Sequence, residues 1–476
     1  MMVSSDESSE PSSPGLAWLG AVVVALLVAV VVWRGAMGRA MQLQWAWGID
    51  GGYFLQRIWQ GATDPFAART IFWDEAGDGT YGGRHHSPIV SMFVPGLALR
   101  PQLSTLLAMQ AACIGAGVLP LFAFCWRCTR DRMAALALLV AAVSVPGFLA
   151  IGVGDFRLLA PALVLVPATV FAAVFGPWTA AFAATVVTCA VREEVAPLLI
   201  ALLPLLVTER AARAGGSWRE HWTVPVCAVA LPALLWQGIT MWRADLLQPG
   251  SFTGFAGFDV PPAEVPLKML SMLLADVRGE HTQPPRLLLR LLALGGLVPL
   301  LLGLRPWAVL GVGAFWVGAC VHAGVVNPGQ VHYYAALVGL YVALVPLALG
   351  RVGGRRLALG GAAVLLVVHA LLPPGPVSVR EALEIADHDA APEWELVKQI
   401  APDEVVLASG WLLPLVPPRQ EVFCTSDFRD SRHGLYARAD VAFLMVGEAF
   451  EDEIRAAGFV EVARANQGML LRRPAQ

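Results

Sequence analysis

The sequence predicts an α-helical protein that crosses a membrane many times, with about eleven spans and a small α/β domain at its C-terminal end. Three observations predict this. Hydrophobic residues make up 57% of the 476-residue chain and charged residues 14%, with a mean hydropathy of +0.62; soluble proteins run at about 45–50% and about 25%. Apolar runs near span length recur from Leu16 to Leu372. From about Ser378 charge returns and the apolar runs shorten. The net charge of −3 and a pI near 6.3 leave no basic field to hold a polyanion, so nucleic-acid binding is excluded.

Residues 1–14 are Ser-rich, Pro-containing and acidic. No basic n-region precedes the first apolar run, so that run reads as an uncleaved anchor behind a disordered cytoplasmic tail. The transmembrane domain spans 15–373. Its runs lie near Leu16–Trp33, Leu103–Trp126, Met133–Ile151, Leu158–Phe175, Pro177–Ala190, Val195–Val207, Trp222–Trp242, Leu287–Leu304, Trp307–Val326, Ala335–Leu349 and Leu357–Leu372. Pro88–Leu99 is apolar but too short to cross, so it is expected at the interface. The seven cysteines are an odd count, and Cys125-Trp-Arg-Cys128 has no second pair nearby; it reads as two ordinary thiols.

Orientation follows from short-loop Arg. With the N-terminus inside, Arg127, Arg130, Arg132, Arg210, Arg213, Arg219, Arg305, Arg351, Arg355 and Arg356 all face the cytoplasm. The first loop (34–86), the turn Gly154–Arg157, the segment Arg192–Glu194, the loop Asn327–Tyr334 and the C-terminal tail then share the outer face. In the tail, 378–476, Glu393–Ile400 and Glu448–Ala457 read as amphipathic helices. Val405–Ala408, Val422–Thr425, Val441–Val446 and two runs around Gly468 read as strands. The tail is therefore an extracytoplasmic α/β domain suited to capping the outer face or binding an acceptor.

The unusual polar residues converge on that face. Asp50 lies in Trp45-Ala-Trp-Gly-Ile-Asp50-Gly-Gly-Tyr53, where a carboxylate beside interfacial aromatics can act as a general base. It can equally be a solvated acid or a helix cap. Gly51 and Gly52 permit a turn or the close approach of a ligand. Arg84-His85-His86-Ser87-Pro88 joins two imidazoles to a guanidinium, a set that binds phosphate, or it is a polar helix start with Pro88 near N1. Arg192-Glu193-Glu194 sits between apolar runs without a spacer, and ionisable groups there are either paired or functional. Asp155 and Arg157 bracket a short turn, as an ion pair or a site. His332 and Tyr333 follow a Pro-Gly turn, as interface anchors or as site residues.

Several of these strings, in this order, resemble a known bacterial family. They are Asp50-Gly-Gly-Tyr-Phe-Leu-Gln56-Arg-Ile-Trp59, His85-His86-Ser87-Pro88-Ile89, Gly154-Asp155-Phe156, Arg192-Glu193-Glu194 and His332-Tyr333-Tyr334, with Ile400–Ser409 in the tail. The family comprises multi-pass membrane proteins of undetermined function, grouped with the GT-C superfamily of integral-membrane glycosyltransferases. His86 stands where an aromatic is expected and Arg157 where histidine is favoured. The resemblance implies a GT-C-like fold in the bacterial cytoplasmic membrane. It also implies transfer of a sugar from a polyprenyl-phosphate carrier to an envelope acceptor, with inversion. Asp50 would be the catalytic carboxylate. Arg84, His85, His86, Asp155, Glu193, Glu194, His332 and Tyr333 would bind the substrate or the lipid carrier. No cofactor is required, and a divalent cation is compatible with the set. A transporter or flippase, and a non-catalytic envelope scaffold, remain open as alternatives.

Overall fold

The computed structural model describes residues 14–41, 51–52, 54–56, 58–59, 87–153, 156–192, 195–215, 217–247, 335–350, 355–371, 391–419, 421–425 and 436–474. The N-terminal tail 1–13 and the predicted spans Leu287–Leu304 and Trp307–Val326 lie outside them.

Each predicted run on described residues coincides with helix. The helices are α1 (Pro14–Met41), α2 (Val94–Leu99), α3 (Leu103–Thr129), α4 (Arg132–Val143), α5 (Pro146–Gly152), α6 (Ala162–Phe175), α7 (Trp178–Cys189), α8 (Val195–Ala201) and α9 (Leu203–Ala214). After the four-residue α10 (Trp218–His221) come a π-helical turn (Pro225–Ala230) running into α11 (Leu231–Leu247), then α12 (Ala335–Leu349) and α13 (Arg355–Leu371). By length and composition, two described helices can cross a membrane, Gly15–Met41 and Leu103–Thr129. A third span arises if α8 and α9, bent by 49°, count as one. Among the described residues the count of about eleven is thus not confirmed, because several predicted spans are shorter or broken.

Proline explains the breaks. Pro146 starts α5 and holds Val145 extended at ψ 123°, since a residue before proline is pushed out of the helical region. The predicted run Met133–Ile151 is therefore two helices. Pro161 sits at the N-cap of α6, which moves that start from Leu158 to Ala162. Pro204 lies in the first turn of α9, just past the α8–α9 bend. The opposite correction applies to α1, which runs on from Trp33 to Met41 and takes the start of the predicted first loop into helix.

One apolar core joins α1, α3–α9 and α11–α13. Small residues let α1 and α3 approach closely, as membrane helices do: a Cβ on Gly115 would sit 2.7 Å from Ala29 Cβ and 2.8 Å from the Ala25 carbonyl oxygen. Trp18, at the start of α1, packs edge-on against Phe122 and Trp126 near the end of α3, so the two helices run antiparallel. Basic residues gather at that end. Arg132 lies over Trp126, Asp131 meets Arg355 at 3.8 Å, and Arg213 lies over Phe175, which itself touches Phe124. Arg210 donates to the carbonyls of Ala173 and Gly176, closing the C-terminus of α6.

The C-terminal part folds as read. After α14 (Ala391–Val397), β1 (Val406–Ala408), β2 (Val422–Cys424) and β3 (Val441–Met445) pair in parallel. Then α15 (Glu451–Ala456) leads into the hairpin β4 (Val460–Arg464)–β5 (Gly468–Arg472), giving the order β2-β1-β3-β5-β4. Glu461 on the edge strand accepts from Arg464 and Arg455, and these contacts hold its carboxyl down from the ordinary 4.5 to about 2. A depressed carboxylate stabilises the fold above its unfolded value, and that contribution is lost as pH falls through the folded value. Between pH 4.5 and about 2 the hairpin is therefore expected to loosen. Glu461→Gln should remove that pH dependence in hydrogen exchange of β4, and an unchanged profile would count against it.

Candidate functional site

A second core cluster lies at the other end of the helices. It joins Ala36 and Ala40 of α1, Phe54, Leu55 and Ile58, Phe93 and Leu97, the first turns of α3, Phe156 and Leu158, and the C-terminal sheet. Its members flank the predicted site. Phe54 comes four residues after Asp50, Phe93 follows the His85-His86-Ser87 string, and Phe156 follows Asp155. These three rings meet edge to face, with centroids 5.8 Å apart for Phe54–Phe156 and 5.0 Å for Phe93–Phe156. The Ile89 amide donates to the Ala190 carbonyl at 3.0 Å, tying the same string to the approach to Arg192. At the start of α12, Ala335 is buried in the helical core just after His332-Tyr333-Tyr334. Asp50, Arg84, His85, His86, Asp155, Glu193, Glu194, His332 and Tyr333 themselves lie outside the described residues.

The predicted interfacial stretch is buried on one side only, with Ser91, Met92, Pro95, Ala98 and Leu99 exposed. Pro88–Phe93 is a 3-10 helix continuing into α2, and Phe93 and Leu97 are fully buried in this cluster. The C-terminal sheet belongs to the same cluster, which hydropathy alone does not reveal.

Five buried polar side chains lie among the described residues of these segments: Gln56, Ser87, Gln110, Arg157 and Arg192. Gln110 is the one the sequence reading passed over. Its side chain donates to the Gly152 carbonyl at 3.4 Å and accepts from the Arg157 amide at 2.8 Å, so one amide clamps both sides of the turn that carries Asp155. The available signal was a lone amide inside an apolar span, since polar groups at such depth are seldom idle. Gln110→Leu would leave the buried Arg157 amide without its acceptor, at a cost of about 1–3 kcal/mol. A lowered unfolding temperature is the expected result, and an unchanged one would mean the turn holds itself.

The helical segment after Asp50 is bound to the C-terminal part. Gln56 is buried; it accepts from the Arg419 amide at 3.0 Å and donates toward the carbonyls of Val416 and Pro417, each at 3.4 Å. The Arg419 guanidinium in turn donates to the carbonyls of Ala401 and Glu404 at 2.9 and 3.0 Å. Burial lowers its pKa, and the charges of Glu404 and Asp403 oppose the shift. Gly51 lies beside Pro414 and Leu103, and Gly52 touches the backbone at Leu413–Pro414. Gly52 thus serves a close approach to protein.

Residues 34–249 match the family described as "Predicted membrane protein (DUF2079)". No curated protein matches the chain by sequence. Two crystal structures of ArnT from Cupriavidus metallidurans share its fold at 14% identity. The structure bound to undecaprenyl phosphate has a TM-score of 0.57 over 97% of this chain and 98% of that one. The apo structure has a TM-score of 0.53 over 96% and 98%. The chain therefore carries over residues 34–249 the sequence pattern of the DUF2079 predicted membrane proteins, on a fold like that of ArnT.

Proposed function

We propose that the chain is an inverting membrane glycosyltransferase that takes a sugar from a polyprenyl-phosphate carrier on the outer face of the bacterial cytoplasmic membrane. The observation that carries this reading is the meeting of the Asp50, His85-His86 and Asp155 flanks in one aromatic cluster, Phe54–Phe156–Phe93. The fold shared with ArnT, which binds undecaprenyl phosphate in one of its crystal structures, supports the choice of carrier. The basic end of the helices faces the cytoplasm, and residues 378–476 form a domain outside the membrane.

In this reading the acceptor hydroxyl oxygen attacks the anomeric carbon from the side opposite the carrier. The carbon–oxygen bond to the phosphate breaks, and the phosphate departs with the electron pair. Asp50 takes the hydroxyl proton as the new bond forms. Arg84 and His85 neutralise the charge growing on the departing phosphate, which lowers the barrier most in a site shielded from water. A single displacement inverts the anomeric centre. Glu193 and Glu194 hold sugar hydroxyls, while His86, Asp155, His332 and Tyr333 line the carrier and sugar sites.

One observation favours transport instead. The α8–α9 pair that follows the buried Arg192 is bent by 49° at Leu202, and broken helices mark transporter binding sites. The clustering of flanks at one end of the bundle, rather than at several depths, favours the enzyme. The test uses the full chain in lipid nanodiscs with radiolabelled undecaprenyl-phosphate sugars. Carrier consumption supports the transferase. Saturable binding without consumption, across a panel of envelope acceptors, supports the scaffold, and carrier movement without consumption supports transport.

A further inference from the structure

The Ser87 hydroxyl is buried next to the strings that carry the predicted site. Ser87 is 2% exposed, and among the described residues its Oγ makes no hydrogen bond. It stands at the N-cap of the 3-10 turn Pro88–Phe93 but makes no side-chain cap bond. Several other buried hydroxyls among the described residues are bonded. Thr169 and Thr188 bond each other at 2.8 Å, Thr185 donates to the Ala181 carbonyl, Thr240 to the Gln237 carbonyl and Thr425 to Glu448. On the same turn as Ser87, Ser91 donates to the Pro88 carbonyl at 2.9 Å. A buried polar group left unpaired is destabilising until a partner arrives, and native structures tolerate few of them.

The surroundings say which partner fits. The turn that begins at Ser87 is held between two segments that each carry a buried arginine. On one side the Ile89 amide bonds the Ala190 carbonyl, two residues before Arg192. On the other, Phe93 packs on Phe156, the residue before Arg157. A hydroxyl on a turn that contacts two arginine-bearing segments suits an oxyanion better than a neutral sugar hydroxyl.

We propose that Ser87 is a carrier-binding residue whose hydroxyl donates to a phosphate oxyanion of the polyprenyl carrier. This rests on the glycosyltransferase reading and adds to it a phosphate contact within the described residues. The hydroxyl costs stability in the free protein and recovers it on binding, an exchange typical of functional sites.

The exchange fixes the sign of two readouts. With the full chain in nanodiscs and undecaprenyl phosphate as probe, Ser87→Ala should bind about tenfold more weakly, the loss of one hydrogen bond to a charged group. Without the carrier it should unfold at the same temperature as wild type or higher. Ser91→Ala should leave affinity unchanged. Undecaprenol, which lacks the phosphate, should bind wild type and Ser87→Ala alike. Inorganic phosphate should compete with the carrier in wild type if the headgroup alone is read. Failure of that competition, with the tenfold loss intact, assigns the contact to the lipid-linked phosphate. Unchanged affinity in Ser87→Ala overturns the proposal and leaves the transferase reading standing. A lowered unfolding temperature in the free variant overturns it too, because the hydroxyl would then be structural. Absence of undecaprenyl phosphate binding by wild type ends the transferase reading and this proposal together.

Discussion

Asp50→Asn in the full chain, at unchanged membrane abundance, is expected to cut sugar transfer by about 10²–10⁴-fold, the usual contribution of a positioned general base. Asparagine keeps the shape of aspartate and can still hydrogen-bond an acceptor hydroxyl, but it cannot take that hydroxyl's proton at neutral pH. The loss should therefore fall on kcat, with affinity for the carrier nearly unchanged, because an interaction made only in the transition state is what has been removed. Single-turnover consumption of radiolabelled carrier, read beside carrier binding, separates the two. Wild-type transfer by Asp50→Asn would remove Asp50 from the chemistry. A loss confined to carrier affinity would make it a binding residue.

The adjacent glycines are expected to respond with opposite signs. A Cβ on Gly52 would lie 2.6 Å from Leu413 Cγ, 2.7 Å from the Leu413 carbonyl carbon and 2.8 Å from the Pro414 nitrogen. Two of those atoms are backbone, held between Ser409 and Val416 by consecutive turn hydrogen bonds, and cannot swing aside. Gly52→Ala should cost about 1–3 kcal/mol, as overpacking does. A Cβ on Gly51 would meet Pro414 at 3.7 Å and Leu103 at 3.9 Å, which is ordinary contact. Both positions are helical, so Gly51→Ala should be neutral or stabilising by up to about 1 kcal/mol. Thermal unfolding of the two variants side by side decides it. Equal effects would mean that the C-terminal part does not press on this segment.

The helices were legible because hydropathy reports burial directly. Ala335–Leu349 is found with the bounds read from sequence, and it is buried along its whole length. The strands were legible for the same reason, since Val406–Ala408 and Val422–Cys424 are continuous apolar runs buried on both faces. Breaks inside runs were harder. Hydropathy averages across Pro146 and Pro204, and a proline bends or stops a helix without making it less apolar. Crossing a membrane is harder again, because an apolar helix of 12–15 residues, such as Arg132–Val143 or Ala335–Leu349, is as suited to a protein interior as to lipid. At the site, the convergence of distant strings could be argued from charge bias. The contacts that produce it could not, because Gln56 and Val416 share no local signal. The role of Gly52 was misjudged for that reason: the backbone that approaches it comes from the other end of the chain.

That distance in sequence has a consequence for biosynthesis. Gln56 bonds to Val416, 360 residues further on, and at about 5–20 residues/s the ribosome needs roughly 20–70 s to make that span. Through that interval the segment after Asp50 has no C-terminal part to pack on, and its apolar face waits in the company of lipid or a chaperone. A chain released early can insert its helices yet never close this end of the molecule. Synthesis past Arg419 is thus a precondition for the packing of the segment that carries Gln56.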